Sequence, residues 1–208
     1  DDGGVYIRCQ NPSCPAQLRE TLKFFASRSA MDIEGLGIKQ IESMVEKKLL
    51  TSLPDVYRLH ERREALLTEK RTNEKSVDKL LESIEKSKTQ PLWRLLIGLN
   101  IRHVGNRTSQ ILASEFGIID EILKKTEEEL AAVNDIGPVI AASIFRFFVS
   151  DIGRETLEEF RSLGLYMGEP VHEEDGSVDK KLDGKTLVVT GTLTRFTRTE
   201  IKELIQQH

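Results

Sequence analysis

A short turn that recurs at nearly constant spacing limits what this chain can fold into more than any other feature. Gly35-Leu36-Gly37, His103-Val104-Gly105 and Asp135-Ile136-Gly137 are comparable three-residue turns, each closed by glycine. Gly105 and Gly137 are 32 residues apart, and Asn73, in Arg71-Thr72-Asn73, falls 36 after Gly37 and 32 before Gly105. Self-similarity at such a period marks a repeated supersecondary unit. Asn is the non-glycine residue best suited to left-handed backbone, so Asn73 is expected to close a second, degenerate turn in that conformation.

The flanks keep phase with the turns. Four residues before the closing position stand Ile33, Glu69, Ile101 and Val133. Seven and eight after it stand Met44-Val45, Leu80-Leu81, Leu112-Ala113 and Ile144-Phe145. Each unit thus reads as helix, tight turn, second helix, with the apolar stripe in constant register. This is a helix-hairpin-helix pattern. Two residues after the closing position come Lys39, Lys75, Arg107 and Val139, three of the four cationic.

The residue types suit a phosphate ligand. Glycine permits positive φ and lets backbone approach a ligand without a Cβ between them. The first turn of the following helix offers unpaired N–H groups at the positive end of the helix dipole. A Lys or Arg beside them adds charge. Such contacts read no bases, so the expected ligand is nucleic-acid backbone, bound without sequence preference. The expected contacts are the backbones of Gly35, Leu36, Gly37, Val104, Gly105, Ile136 and Gly137, with charge from Lys39, Lys75, Arg102 and Arg107 and a phosphate or packing contact from His103. The second unit lacks glycine and is expected to be weak; the fourth lacks the cation and has Pro138 at the first helical position, where proline is tolerated.

Composition agrees with a folded, non-membrane chain. The 208 residues are 38% hydrophobic, and 30 Lys+Arg against 34 Asp+Glu leave a net charge of −4. That balance excludes a strongly basic tail protein, but a small acidic excess can coexist with a local basic face. From Lys86 to Ser114 there is no acidic residue, and Lys86, Lys88, Arg94, Arg102 and Arg107 fall there. No apolar run reaches the ~20 residues a bilayer requires. The chain opens without Met and stops within a helical pattern, so it reads as a piece of a longer protein. No catalytic constellation is visible: His60, His103, His172 and His208 are scattered, and Trp93, Phe145, Phe147 and Phe148 read as core.

Along the chain, residues 1–26 form a cysteine-bearing segment and lead-in, 27–165 the helical repeat, 166–180 an acidic linker, and 181–208 a strand pattern followed by a helix pattern. Cys9 and Cys14 are spaced as one corner of a tetrahedral zinc site, with two free thiols as the alternative. His60 and His103 stand in helical or hairpin contexts and do not complete such a site.

YIRCQNPSCPAQLRE, FASRSAMDIEGLG, LNIRHVGNRTSQIL, NDIGPVIAASIFRFF and LDGKTLVVTGTLTRFTR, in this order, resemble the C-terminal half of bacterial NAD-dependent DNA ligases. The resemblance covers essentially the whole chain. It implies a mainly α fold: four helix-hairpin-helix units in a compact helical domain, preceded by the second half of a four-cysteine zinc finger and followed by a truncated α/β BRCT start. Cys9 and Cys14 would then be half of a structural zinc site. The parent enzyme, using NAD and Mg, would seal 3′-hydroxyl/5′-phosphate nicks in DNA replication and repair, in the bacterial cytoplasm at the nucleoid. The partners implied are nicked duplex DNA and the adenylation and OB domains of the same chain, as a monomer. Lys181-Leu182-Asp183-Gly184 mimics the family's K-x-D-G nucleophile motif, but it stands before the BRCT-like strand without the other nucleotidyltransferase motifs. Thr190-Gly191 matches a phosphate position of BRCT domains. The fragment is therefore expected to bind DNA and to perform no covalent step. The rival readings are a helix-hairpin-helix module of another repair protein and a protein-interaction scaffold.

Overall fold

The computed structural model describes residues 15–68, 73–170 and 201. Cys9, Cys14, the K-L-D-G sequence at 181–184, Thr190-Gly191 and the BRCT-like stretch lie outside the described residues. The chain divides into two units, Asp1–Val171 and His172–His208, and the helices lie in the first.

Its described part is helical. In order come α1 (Pro15–Ala26), α2 (Ile38–Glu46), a 3-10 segment (Pro54–Arg62), α3 (Arg63–Leu67), α4 (Glu74–Ser87), α5 (Leu92–Gly98), α6 (Asn106–Phe116), α7 (Ile119–Leu123), α8 (Glu127–Ala131), α9 (Pro138–Val149) and α10 (Asp151–Ser162). The four expected units are the packed pairs α1/α2, α3/α4, α5/α6 and α8/α9. The registers explain why they pack. Met44, Leu80, Leu112 and Ile144, seven residues after each closing position, are all buried, and Val45, Leu81, Ala113 and Phe145 pack against them. Period 3.6 places consecutive stripe residues on one side of each second helix, so every unit turns the same face inward.

Long-range contacts join the units. Phe25 of α1, Tyr57 of the 3-10 segment and Phe160 of α10 form a buried aromatic trio. Phe25 stacks on Phe160 at 5.7 Å between ring centroids, and Tyr57 meets both edge-on at about 6 Å. Burial pushes the Tyr57 phenol well above its ordinary range, so the hydroxyl stays protonated and shares a hydrogen bond with Ser87 at 3.1 Å. The 3-10 segment is fixed by Asp55. One carboxylate oxygen accepts the Thr51 N–H, the Thr51 hydroxyl and the Ser52 N–H, and the other accepts from Arg58. Burial alone would raise the Asp55 pKa; the hydrogen bonds from Thr51, Arg58 and Ser52 outweigh it and hold the carboxyl below its usual value.

Two stretches at the ends of the helical body pack into it. The lead-in helix α1 belongs to the helical body, because Leu22 and Phe25 are fully buried in it. Residues 166–168, expected to open the acidic linker, pack on the helical body. Tyr166 donates its N–H to the Lys88 carbonyl, Met167 accepts the Ile119 N–H and is buried, and Gly168 bridges Ile118. Gly168 and Pro170 read as linker by composition, but the apolar Met167 side chain carries this segment into the core.

Candidate nucleic-acid interface

Each closing glycine is the residue from which a second helix departs. Gly37, Gly105 and Gly137 cap α2, α6 and α9 in extended backbone, with φ of −83°, −99° and −79°. The left-handed residue is the first of each turn: Gly35 at φ 89°, His103 at 66° and Asp135 at 65°. Positive φ thus explains a glycine only at position 35. His and Asp tolerate the left-handed region better than most side chains, which is why they serve at 103 and 135.

The middle residue anchors the turn. Leu36, Val104 and Ile136 are only 5%, 8% and 3% exposed. The Val104 and Ile136 amides donate to the Ile101 and Val133 carbonyls, both at 3.0 Å, closing their turns. Those two N–H groups are engaged inside the hairpin, which corrects the expectation that they face a ligand. The outward donors belong to the first turn of the next helix, which has no intrahelical acceptors for them. Among the described residues, no side chain is hydrogen-bonded to the capping end of α2, α6 or α9.

The second unit is built differently. Asn73 is extended, φ −132° and ψ 167°, and not left-handed as its sequence position suggested. Its side chain accepts the Ser76 N–H at 2.9 Å, while the Ser76 hydroxyl accepts the Asn73 N–H at 3.0 Å. This reciprocal capping box uses internally a donor that a glycine-capped tip leaves outward. Asn73 therefore serves as a cap. Lys75 is exposed beside it, at a tip closed by its own side chains.

Space around the glycines is informative. A Cβ on Gly105 or Gly137 would meet nothing within 4 Å, and one on Gly37 would meet only the end of the Gln40 side chain, at 3.0 Å. Among the described residues, neither backbone angle nor packing calls for glycine at 105 or 137.

The charged residues sort into two kinds. Lys39, Arg102, His103 and Arg107 are exposed at or beside the glycine-closed tips. The Arg107 Nη2 donates to Asp135 Oδ2 at 2.7 Å, which brings the third and fourth tips together. That pairing was not legible in the sequence; the only hint is an acid in the turn following a turn with a cation. The first tip leans on α4 instead: the Glu34 N–H donates to the Ser83 hydroxyl at 2.7 Å, and Leu80 lies 3.5 Å from the Cβ position of Gly35. Arg94, part of the basic run, is structural. It donates to the Arg28 and Ala30 carbonyls and stacks 4.8 Å over Trp93, fastening the first connector to α5.

The fourth tip is the poorest in donors. Pro138 has no N–H, the Ile140 N–H is taken by the Gly137 carbonyl at 3.0 Å, and Val139 stands exposed where Lys39 and Arg107 stand in the other units. Among the described residues no group of three His, Cys, Asp or Glu side chains is placed to hold a metal ion. His60 donates through Nδ1 to the Tyr57 carbonyl at 2.8 Å. No helix among the described residues is long and apolar enough to cross a membrane.

Comparison with known proteins agrees with this anatomy. The helix-hairpin-helix motif family matches residues 94–157, the third and fourth units. A DNA ligase of Symbiobacterium thermophilum is 44% identical over 207 residues, covering 99% of this chain and 30% of that protein. DNA ligases of Brevibacillus brevis and Syntrophotalea carbinolica are 42% and 43% identical over 97% and 99% of the chain, again 30% of each relative. The chain spans about 30% of the length of these curated relatives. A helical body of hairpin units is thus similar, over 97–99% of its length, to a segment of these bacterial DNA ligases.

Proposed function

We propose that this chain is the duplex-gripping segment of an NAD-dependent DNA ligase, holding backbone phosphates around a nick without reading sequence. The observation that carries this reading is the setting of Gly105 and Gly137. Both have ordinary backbone angles and open space where a Cβ would stand. Beyond N-capping, where glycine is preferred over alanine, glycine there leaves room for something outside the chain: a ligand that must come close to the backbone at a helix N-terminus. The uncapped N–H groups of α2 and α6, with Lys39 and Arg107, offer an anion both hydrogen bonds and charge. The relatives carry the name DNA ligase, and the anion that such a protein meets repeatedly is the phosphodiester.

In this reading the parent enzyme is adenylated by NAD elsewhere in the protein, passes AMP to the 5′-phosphate, and lets the 3′-hydroxyl displace it. The present segment contributes grip, through the first and third tips above all. Cys9 and Cys14 would contribute two of the four ligands of a structural zinc site; zinc stoichiometry of the full-length ligase before and after Cys14→Ser tests that. The reading also places the protein in the bacterial cytoplasm, acting as a monomer on DNA.

The test is fluorescence anisotropy of the chain with nicked duplex, intact duplex and single-stranded DNA over a salt series. Phosphate gripping predicts duplex binding that is indifferent to base sequence and weakens linearly in log salt, with a slope of about −0.9 for each phosphate neutralised. Binding of one base sequence alone would refute backbone recognition. Negligible duplex binding at low salt would make the hairpins structural turns and favour a scaffold.

A further inference from the structure

We infer that the Asp135 carboxylate is an intramolecular stand-in for a phosphate, which occupies Arg107 in the free chain and yields it to arriving DNA backbone. The inference deepens the proposed duplex grip and rests on it. Its starting point is a mismatch: Asp135, on the fourth tip, places a negative charge against the third tip, whose uncapped amides and Arg107 suit an anion. The backbone does not demand that charge. The position is left-handed, φ 65°, which Asn accommodates as well as Asp does. Nor does the carboxylate cap the helix that follows, since no side chain caps α9. What it does is accept a hydrogen bond from Arg107, the cation of the neighbouring tip, at 2.7 Å.

The pair is suited to exchange. The Arg107 and Asp135 side chains are 80% and 55% exposed, so the attraction is screened and weak. A guanidinium forks equally well onto a carboxylate or a phosphate, and a phosphodiester beside uncapped helix amides offers it the same geometry. Arg107 lies at the second position of α6, within the turn whose amides point outward. Exchange therefore requires a side-chain rotation and no backbone change. The fourth hairpin meanwhile has Pro138 and Val139 where donors and a cation stand elsewhere, and it is poorly equipped to bind phosphate itself. Its part is to supply the competitor, so that the third and fourth hairpins act as one grip whose strength is set below what the cations alone would give.

The experiment compares the chain with its Asp135→Asn, Arg107→Gln and double variants, by anisotropy on a fixed duplex over a salt series, with thermal unfolding of each. Asn keeps the turn conformation and volume and removes the charge. Asp135→Asn is expected to tighten duplex binding roughly threefold to fivefold at low salt and to steepen the salt slope by up to about one charge. The gain should be clearly smaller in the Arg107→Gln background, where there is no cation to release. Equal gains in both backgrounds would mean simple repulsion of DNA by Asp135 and overturn the exchange. Weaker or unchanged binding in a variant of normal thermal stability would make the pair a brace, and also overturn it. If the parent chain shows no duplex binding, the grip fails and the exchange fails with it; binding by the parent with no response to Asp135→Asn removes the exchange alone.

Discussion

Replacing Gly105 with alanine separates what the fold needs from what a ligand needs. Gly105 sits at φ −99°, ψ −169°, extended backbone open to any residue, and the new methyl would touch nothing within 4 Å. Two small effects on stability oppose each other. Alanine restricts the unfolded chain, which favours folding by about 0.4–1 kcal/mol. Glycine is the better helix N-cap, and losing it costs a similar amount, roughly 0.5–1 kcal/mol. The sum should lie within about 0.5 kcal/mol of zero, a Tm shift of about 2 °C or less for a body of this size. Binding should respond very differently. The methyl stands where a phosphate would approach the α6 amides, and charge-assisted hydrogen bonds of that kind contribute about 1.5–3 kcal/mol. Duplex affinity should fall roughly tenfold to a hundredfold. Differential scanning fluorimetry and anisotropy on the same preparation measure both. A Tm drop beyond about 5 °C would show that the glycine serves the fold. An unchanged Tm with unchanged affinity would show that nothing approaches the third tip. Either result refutes the reasoning.

Further predictions concern the parts of the molecule that should not touch DNA. Asn73→Ala removes the capping box of α4 and should cost about 1 kcal/mol in denaturant unfolding, while leaving the salt slope of duplex binding unchanged. A change in that slope would mean that the second hairpin also grips. Asp55 has a lowered carboxyl pKa, so the native state binds its proton less readily than the unfolded chain does, and stability rises with pH across that interval. Its contribution is present above the unfolded value and should be lost as pH falls through the folded one, below about pH 4. Asp55→Asn should lower stability at neutral pH by about 1–3 kcal/mol and flatten the acid limb of a Tm-against-pH curve. An acid limb identical to the parent's would assign the loss to other carboxylates.

Much of the architecture follows from local pattern. The stripe that buries Met44, Leu80, Leu112 and Ile144 is a matter of period and phase, both visible in the sequence. The tips were legible too, because glycine before a helix has few uses. What escaped were features that depend on how distant segments meet. The Phe25, Tyr57 and Phe160 trio joins three elements far apart in the chain, and the Arg107–Asp135 pair needs two turns side by side. Asn73 shows a subtler failure: an Asn can be a left-handed residue or a helix cap, and the Ser three positions on, which completes the capping box, decides it. Glycine itself was located correctly and explained by the wrong angle: all three closing glycines are extended, and φ is positive two residues earlier, at Gly35, His103 and Asp135. The segment 166–168 was hidden by composition, because one buried Met outweighs its polar neighbours in packing but not in a residue count.

Backbone amides at the glycine-closed tips are the proposed phosphate contacts. Amide chemical-shift mapping by NMR of the isotopically labelled chain, titrated with a short duplex at low salt, tests them residue by residue. The Gly105, Asn106 and Arg107 amides, and those of Gly37 to Lys39, are expected to shift together on binding, Gly137 and Val139 to respond less, and the Ser76 amide, engaged by Asn73, to stay in place. Shifts centred on other helix faces, with the tip amides still, would contradict the assignment.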